Sequence, residues 1–503
     1  DLAGWLDDQR AHTPDDALPV WRGELRSAAG APLLSGVISN RVDVRAAAAA
    51  AERAVERRAE PLLALFRPAA EWAAAAGLLD VAWDRLIANS AHDSACACCT
   101  DEVADQVLAR YAEARQIGDA LADQALADLM AETGTAPGDV LVVNAAAPTR
   151  SGVVEVTTPA GPDPNEGFVG PDGIPRVVQL LDVTRDEVFA ARVAGPKVGW
   201  VADRIVGSTF DGHPVRAWSL DADDRAPCLR FEAAGPDDAP VDLNDVGEAL
   251  LALGRAGSTV VVRMEGPPRR RVLVETGPVP GYGWTTLHRS VGVASGHEPA
   301  AIPVRIDADT EGGVVLDNGI VRVEVNADDG TFSAAARSGL RAAGLNRYVD
   351  GGDGGDTYTW CPPATDRLID RPRSVALEIE EEGPLRGRVG ITTTYEWPTH
   401  ADGDERACSA RSAHTATTTI RTVVSLVAGD PVVGVETVLD NRCRDHRLRV
   451  HFPLPVPVTG SHAGCAFAVV RRSLEAEDGP AESPPPTFPA RRFVDCAGAG
   501  GLA

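Results

Sequence analysis

Lysine is almost absent from this chain: Lys197 is the only one, and the remaining Lys/Arg positions are arginines. With the heavy use of Ala and Gly, this reads as codon bias in the source rather than as a functional device. Clustered basic residues are lacking too. The formal net charge is -25 and the pI about 4.8. Such a balance argues against phosphate neutralisation on a nucleic acid and disfavours an anionic membrane surface. A neutral substrate is compatible with it.

Cysteine is sparse, with nine in 503 residues, whereas disulfide scaffolds are short and Cys-dense. Reduced thiols are therefore the default, and the location is read as cytoplasmic. Cys96, Cys98 and Cys99 crowd together. They lack the two-residue spacing and the second Cys/His pair of a structural zinc site, so small buried thiols are expected. No apolar run reaches transmembrane length, and no charged-then-apolar leader opens the chain. The first residue is Asp1, and 494–503 stop in mid-pattern. A fragment is expected on that ground, which leaves the missing leader without weight. Gly-rich phosphate loops, a G-x-S-x-G elbow and H-E-x-x-H are all missing.

The chain does have material for large cores, since 44% of its residues are hydrophobic, and its length implies two to four domains. Residues 1–40 have no clear period. Three helices are predicted next, at 42–66 with Pro61 near its end, 71–90 and 101–132. The second carries Leu78, Leu79, Ala82, Trp83, Leu86 and Ile87 at helical spacing. The third has Thr100 as its N-cap, with Asp101 and Glu102 at the positive end of its dipole. Its apolar stripe is Val107, Tyr111, Ala114, Ile117, Leu121 and Leu126. Three amphipathic helices with short connections form a bundle.

From Thr135 the pattern changes to short β-branched runs punctuated by Pro and Gly. The predicted strands include 140–143, 152–157, 259–264, 271–275, 314–325, 389–395 and 418–427, with one helix at 242–255 among them. Many short strands with few helices imply antiparallel sandwiches. A softer boundary falls near 291–303, and 475–489 reads as a Pro-rich loop.

Carboxylate pairs carry little information in so acidic a chain. The informative segment is Asn89-Ser90-Ala91-His92-Asp93-Ser94-Ala95-Cys96-Ala97-Cys98. Its His-Asp pair leaves the end of the second helix, where an imidazole and a carboxylate can both face a cleft. Neutral His is a common zinc ligand, and a neighbouring carboxylate can bind sugar hydroxyls or support the ligand. Taken alone, His92 reads equally as a capping or surface histidine.

Other motifs stand in order around it. Upstream are Leu18-Pro19-Val20-Trp21-Arg22-Gly23-Glu24-Leu25-Arg26, Ser39-Asn40-Arg41 and Ala59-Glu60-Pro61-Leu62. Downstream are Arg115-Gln116-Ile117, Val142-Val143-Asn144, Pro280-Gly281-Tyr282-Gly283-Trp284, Asp317-Asn318-Gly319 and Asp329-Gly330-Thr331. Late in the chain come Gly355-Asp356-Thr357-Tyr358-Thr359-Trp360, Asp440-Asn441 and Asp445-His446-Arg447. Together they resemble the family-38 α-mannosidases, zinc-dependent retaining glycoside hydrolases, across essentially the whole chain. Two departures are Ala97, where Gly is common, and Ala145, where Pro is customary.

The resemblance implies a multidomain α + β protein in four parts. Residues 1–40 would be a remnant of the catalytic α/β barrel, and 41–134 a three-helix middle domain. A first β-sandwich region would span 135–295, and a large galactose-mutarotase-like sandwich 296–503. His92 would be a ligand of one Zn2+, with Asp93 and Tyr358 as substrate-binding residues on mannose. Asp356 reads as a turn residue, and the Asp445-His446-Arg447 signature as a structural charge network.

Retaining glycosidases need two carboxyl groups about 5 Å apart. In the family the nucleophile, the acid and the other zinc ligands come from the barrel, so no catalytic residue is expected in this chain. The parent is expected to hydrolyse terminal α-mannosides or mannose-containing glycans, and these residues alone to be inactive. A non-catalytic carbohydrate-binding protein, or a hydrolase of mannosylglycerate or another small mannoside, is the competing reading. A homo-oligomer is compatible with the sequence.

Overall fold

The computed structural model describes residues 2–14, 17, 34, 37, 40–161, 166–221, 226–235, 238–292, 302–308, 312–404, 407–465, 468–475, 487–488 and 490–496. The segment 18–26 and Ser39, two anchors of the resemblance, lie outside these, as does most of 1–40 and of 475–489. Within the first forty residues a helix, Leu2–His12, forms that the sequence reading did not anticipate. It buries no residue.

The first predicted helix is one helical run in three pieces: Val42–Glu52, a wide π-helical stretch Arg53–Ala59, and Glu60–Phe66. Pro61 explains the widening. Its ring collides with the carbonyl four residues back and it donates no N–H, so the preceding turn opens to absorb the misfit. Trp72–Ala88 and Asp101–Thr133 follow. All three pack on one core that includes Val44, Val55, Leu63, Leu79, Leu86, Val107 and Leu121. Gly118 lets two of them close up: a Cβ there would sit 2.9 Å from the backbone of Ala54.

Details of this region correct the sequence reading. Leu78 and Ile87 are 51% and 63% exposed, because the buried stripe is narrower and runs through Ala75, Leu79, Ala82 and Leu86. Thr100 has extended N-cap backbone but makes no cap hydrogen bond; its hydroxyl is taken by the Glu102 carboxylate.

Helix ends at Thr133 and strand begins at Val140. A four-stranded sheet ordered Val140–Asn144, Gly283–Ser290, Gly167–Val169, Pro175–Arg176 and a three-stranded sheet centred on Arg269–Glu275 share a core of Phe168, Val272, Val274 and Leu287. Between them in sequence, residues 187–265 form a six-stranded sheet over helix Asn244–Arg255. Here one pair, Cys228–Ala233 with Val260–Glu265, is parallel, so the antiparallel expectation fails locally. The helix is the reason: parallel neighbours need a crossover, and Asn244–Arg255 supplies it.

The large sandwich sets a five-stranded sheet (305–345) against a four-stranded one (374–439) across Leu316, Val323, Phe332, Val389, Ile391 and Val424. Its longest ladder pairs Arg386–Pro398 with Thr415–Val427. Beside it a two-stranded ribbon, Arg347–Gly352 with His446–His451, carries the loop considered next. The coarse expectation of a mostly β, multidomain α + β chain is borne out.

Candidate functional site

The Trp72–Ala88 helix stops and, after a short turn, the helix His92–Cys96 begins, with His92 and Asp93 in its first turn. A carboxylate there is favoured by the N-terminal end of the dipole. At the other end Ala97 takes left-handed backbone, φ 54° and ψ 33°. The amide of Ala97 donates to the Ser94 carbonyl, and that of Cys98 to the Asp93 carbonyl at 3.2 Å. This is the Schellman stop, made with alanine where glycine is the unstrained choice. The substitution keeps the turn, and Ala97 buries its methyl in the helical core.

Arg45 fixes the small helix from outside. Its guanidinium donates to the carbonyls of Ala95, Cys96 (2.9 Å) and Val37 (3.0 Å). A cation on the last carbonyls is the complementary dipole contact. The result is a rigid pedestal presenting His92, 90% exposed, and Asp93, 62% exposed. His92 Nε2 lies 3.3 Å from Asp93 Oδ1, and the Cys98 thiol reaches the same oxygen at 3.5 Å. Cys96, Cys98 and Cys99 are all partly exposed, against the expectation of buried thiols, because the turn at Ala97 throws Cys98 back over the helix.

The second wall comes from the loop after Arg347–Gly352. Asp353 Oδ1 accepts the amides of Gly355 and Cys361, both at 3.0 Å, closing the loop at its two ends. Asp356 Oδ1 accepts the amides of Tyr358 and Thr359 and the Thr359 hydroxyl, each at 2.8 Å. Burial works to raise the Asp356 pKa, but these donors outweigh it and hold the carboxyl below its ordinary range. Asp356 is thus a turn-former, as expected. Gly355 is required, since a Cβ would lie 1.8 Å from the Thr359 carbonyl oxygen.

The loop delivers Tyr358 against the first segment. Its hydroxyl lies beside the Cys98 thiol; that neighbour first, and then the nearby Asp93 and Asp356 carboxylates, push it above the usual tyrosine range. His92, Asp93 and Tyr358, named from sequence, therefore meet at one place. Cys98, standing between Asp93 and Tyr358, was missed, as was Arg45. Neither carries a sequence signal, because each acts through tertiary geometry alone.

Behind the loop the late motif behaves as a charge network. His446 donates from Nδ1 to Asp350 Oδ1 at 2.6 Å, and Arg411 pairs with the other oxygen of that buried carboxylate. Arg447 stacks over the Trp360 ring at 4.9 Å, and the Asp445 carbonyl accepts the Asp353 amide at 2.9 Å. Asp440 stays outside, paired with exposed Arg442.

Residues 316–500 match the model of the glycosyl hydrolases family 38 C-terminal domain. No curated protein matches the sequence. Among solved structures, an α-mannosidase from Enterococcus faecalis V583 superposes with a TM-score of 0.67 at 20% identity, over 95% of this chain and 50% of that one. A family 38 glycosyl hydrolase protein from Enterococcus faecalis gives 0.66 at 18% identity, over 94% and 50%. The chain thus spans about half the length of the structures it matches. Residues 316–500 thus match the family 38 C-terminal domain model, and the chain that carries them shares the fold of these solved structures.

Proposed function

We propose that this chain supplies one side of the sugar site of a zinc-dependent retaining α-mannosidase. The observation that carries the reading is the meeting of 92–98, from the helical region, with 353–361, from the family 38 domain. Two segments far apart in sequence bring a carboxylate, an imidazole and a phenol to one exposed place.

These side chains suit a neutral, hydroxyl-rich ligand. The Asp93 carboxylate accepts from sugar hydroxyls, a charge-assisted bond stronger than a neutral one. Tyr358, held above its ordinary pKa, stays protonated and donates to a sugar oxygen. Cys98 keeps the two in register.

Among the described residues no three potential ligands converge into a metal cage. His92, exposed on its pedestal with Asp93 at 3.3 Å, fits one corner of a shared Zn2+ site as its ligand. When bound, the ion would supply Lewis-acid contact to sugar oxygens. The nucleophile and the acid/base are assigned to residues outside this chain, as the family resemblance implies; Asp356, on the Tyr358 loop, is committed to the turn. In this reading the chain alone turns over no mannoside.

The test is zinc content and nitrophenyl-α-mannoside turnover of the full-length gene product, beside His92→Ala, Asp93→Asn and Tyr358→Phe. Zinc and activity should fall together in His92→Ala, and activity without zinc loss in the other two. Full activity in all three variants would overturn the assignment.

A further inference from the structure

In a chain with 73 acidic residues against 48 basic ones, one cleft of about 830 Å3 is lined by Arg45, Arg53, Arg57, Arg491 and Arg492. Two carboxylates share its wall, Glu52 and Glu56, and both are engaged. Arg491 pairs with Glu52 at 2.5 Å and Arg492 with Glu56 at 3.6 Å. Arg45 is committed to backbone carbonyls. That leaves Arg53 and Arg57, four residues apart on the wide turn Arg53–Ala59, without a carboxylate partner among the described residues.

Tyr111 also lines the cleft and is only 8% exposed. Its hydroxyl has no hydrogen-bond partner among the described residues. Burial holds that hydroxyl above the ordinary tyrosine range, with Glu52 adding to the shift and Arg45, Arg110 and Arg491 opposing it. It stays protonated and is a donor in search of an acceptor. The ring is packed in the core while the hydroxyl opens on the cleft, where an acceptor oxygen of a ligand can reach it.

The unsatisfied groups are all donors, and two are cations. A cationic ligand is repelled, and a neutral sugar would bring donors of its own. A monocarboxylate balances only one of the two guanidinium groups. We propose that this cleft binds a small phosphate-bearing anion, its oxygens taking the forks of Arg53 and Arg57 and the hydroxyl of Tyr111. Guanidinium forks match phosphate oxygens in pairs. The volume exceeds that of bare phosphate and leaves room for an organic portion. The inference is independent of the sugar site proposed above.

The experiment is calorimetric titration of the full-length protein at low ionic strength, with inorganic phosphate and separately with a hexose 6-phosphate, against matched chloride. Saturable one-site binding is expected, weakened roughly tenfold or more in the R53Q/R57Q double variant. Tyr111→Phe, which keeps the core ring, should weaken it several-fold, and Arg341→Gln, on the large sandwich, should leave it unchanged. Tighter binding of the hexose phosphate would identify an organic ligand, and equal binding phosphate alone; either supports the site. Absence of saturable binding, as when another part of the protein covers the cleft, overturns it. So does binding indifferent to the double variant, whose exposed arginines do not bear on folding.

Discussion

Asp350 and His446, 96 residues apart in sequence, meet at 2.6 Å with the carboxylate side chain wholly shut off from solvent. Arg411, 2% exposed, completes the group on the other carboxylate oxygen. Three ionisable side chains in a dry place are tolerable only because each satisfies another.

Asp350→Asn therefore removes the one negative charge and strands the Arg411 guanidinium. Breaking such a buried pair typically costs about 3–5 kcal/mol. Urea unfolding should register that loss, and a change within experimental scatter would mean the group contributes nothing to the ribbon beneath the Tyr358 loop.

The Asp356 turn gives a pH signature. Its carboxyl lies below the ordinary value in the folded chain. The stability it contributes is therefore present above the unfolded value of about 3.9 and is lost as pH falls through the native one. Amide exchange at Tyr358 and Thr359, corrected for intrinsic rates, should speed up on acidification in the parent. In Asp356→Asn the exchange should be fast already and insensitive to pH. Equal acid sensitivity in both proteins would remove Asp356 from the explanation.

At Gly118 two effects oppose each other. Alanine gains about 1 kcal/mol of helix propensity over glycine, but its Cβ would press on the Ala54 backbone at 2.9 Å. Overpacking of that kind costs about 1–3 kcal/mol, and the neighbour is backbone that cannot swing away. Gly118→Ala should lower Tm, and Gly118→Val should lower it further; a rise in Tm for alanine would show that the helices have slack.

The long periodic elements were readable because their signal is local. The apolar spacing located Trp72–Ala88 and Asp101–Thr133 closely, and the β-branched runs located 386–398 and 415–427. Where burial is decided by a distant neighbour, local reading fell short. Leu78 and Ile87 sit on an apolar spacing yet face outward, because the packed stripe is set by the other helices. The crossover that makes Cys228–Ala233 and Val260–Glu265 parallel was visible as a helix but not as a topology. At the site, His92, Asp93 and Tyr358 were reached through motifs. Cys98 and Arg45 were not, since a thiol between two segments and an arginine on three carbonyls look like any other cysteine and arginine.

The ribbon under the Tyr358 loop also fixes an order of events during synthesis. Arg347–Gly352 cannot pair until His446–His451 has left the ribosome, and closing so long a loop carries an entropy that earlier contacts cannot offset. The helices that carry His92 rely on near neighbours and can settle far sooner. One wall of the proposed sugar site therefore stands ready while the other still awaits its partner strand, and a nascent chain stalled before residue 446 would display the His-Asp pedestal without the ordered Tyr358 loop.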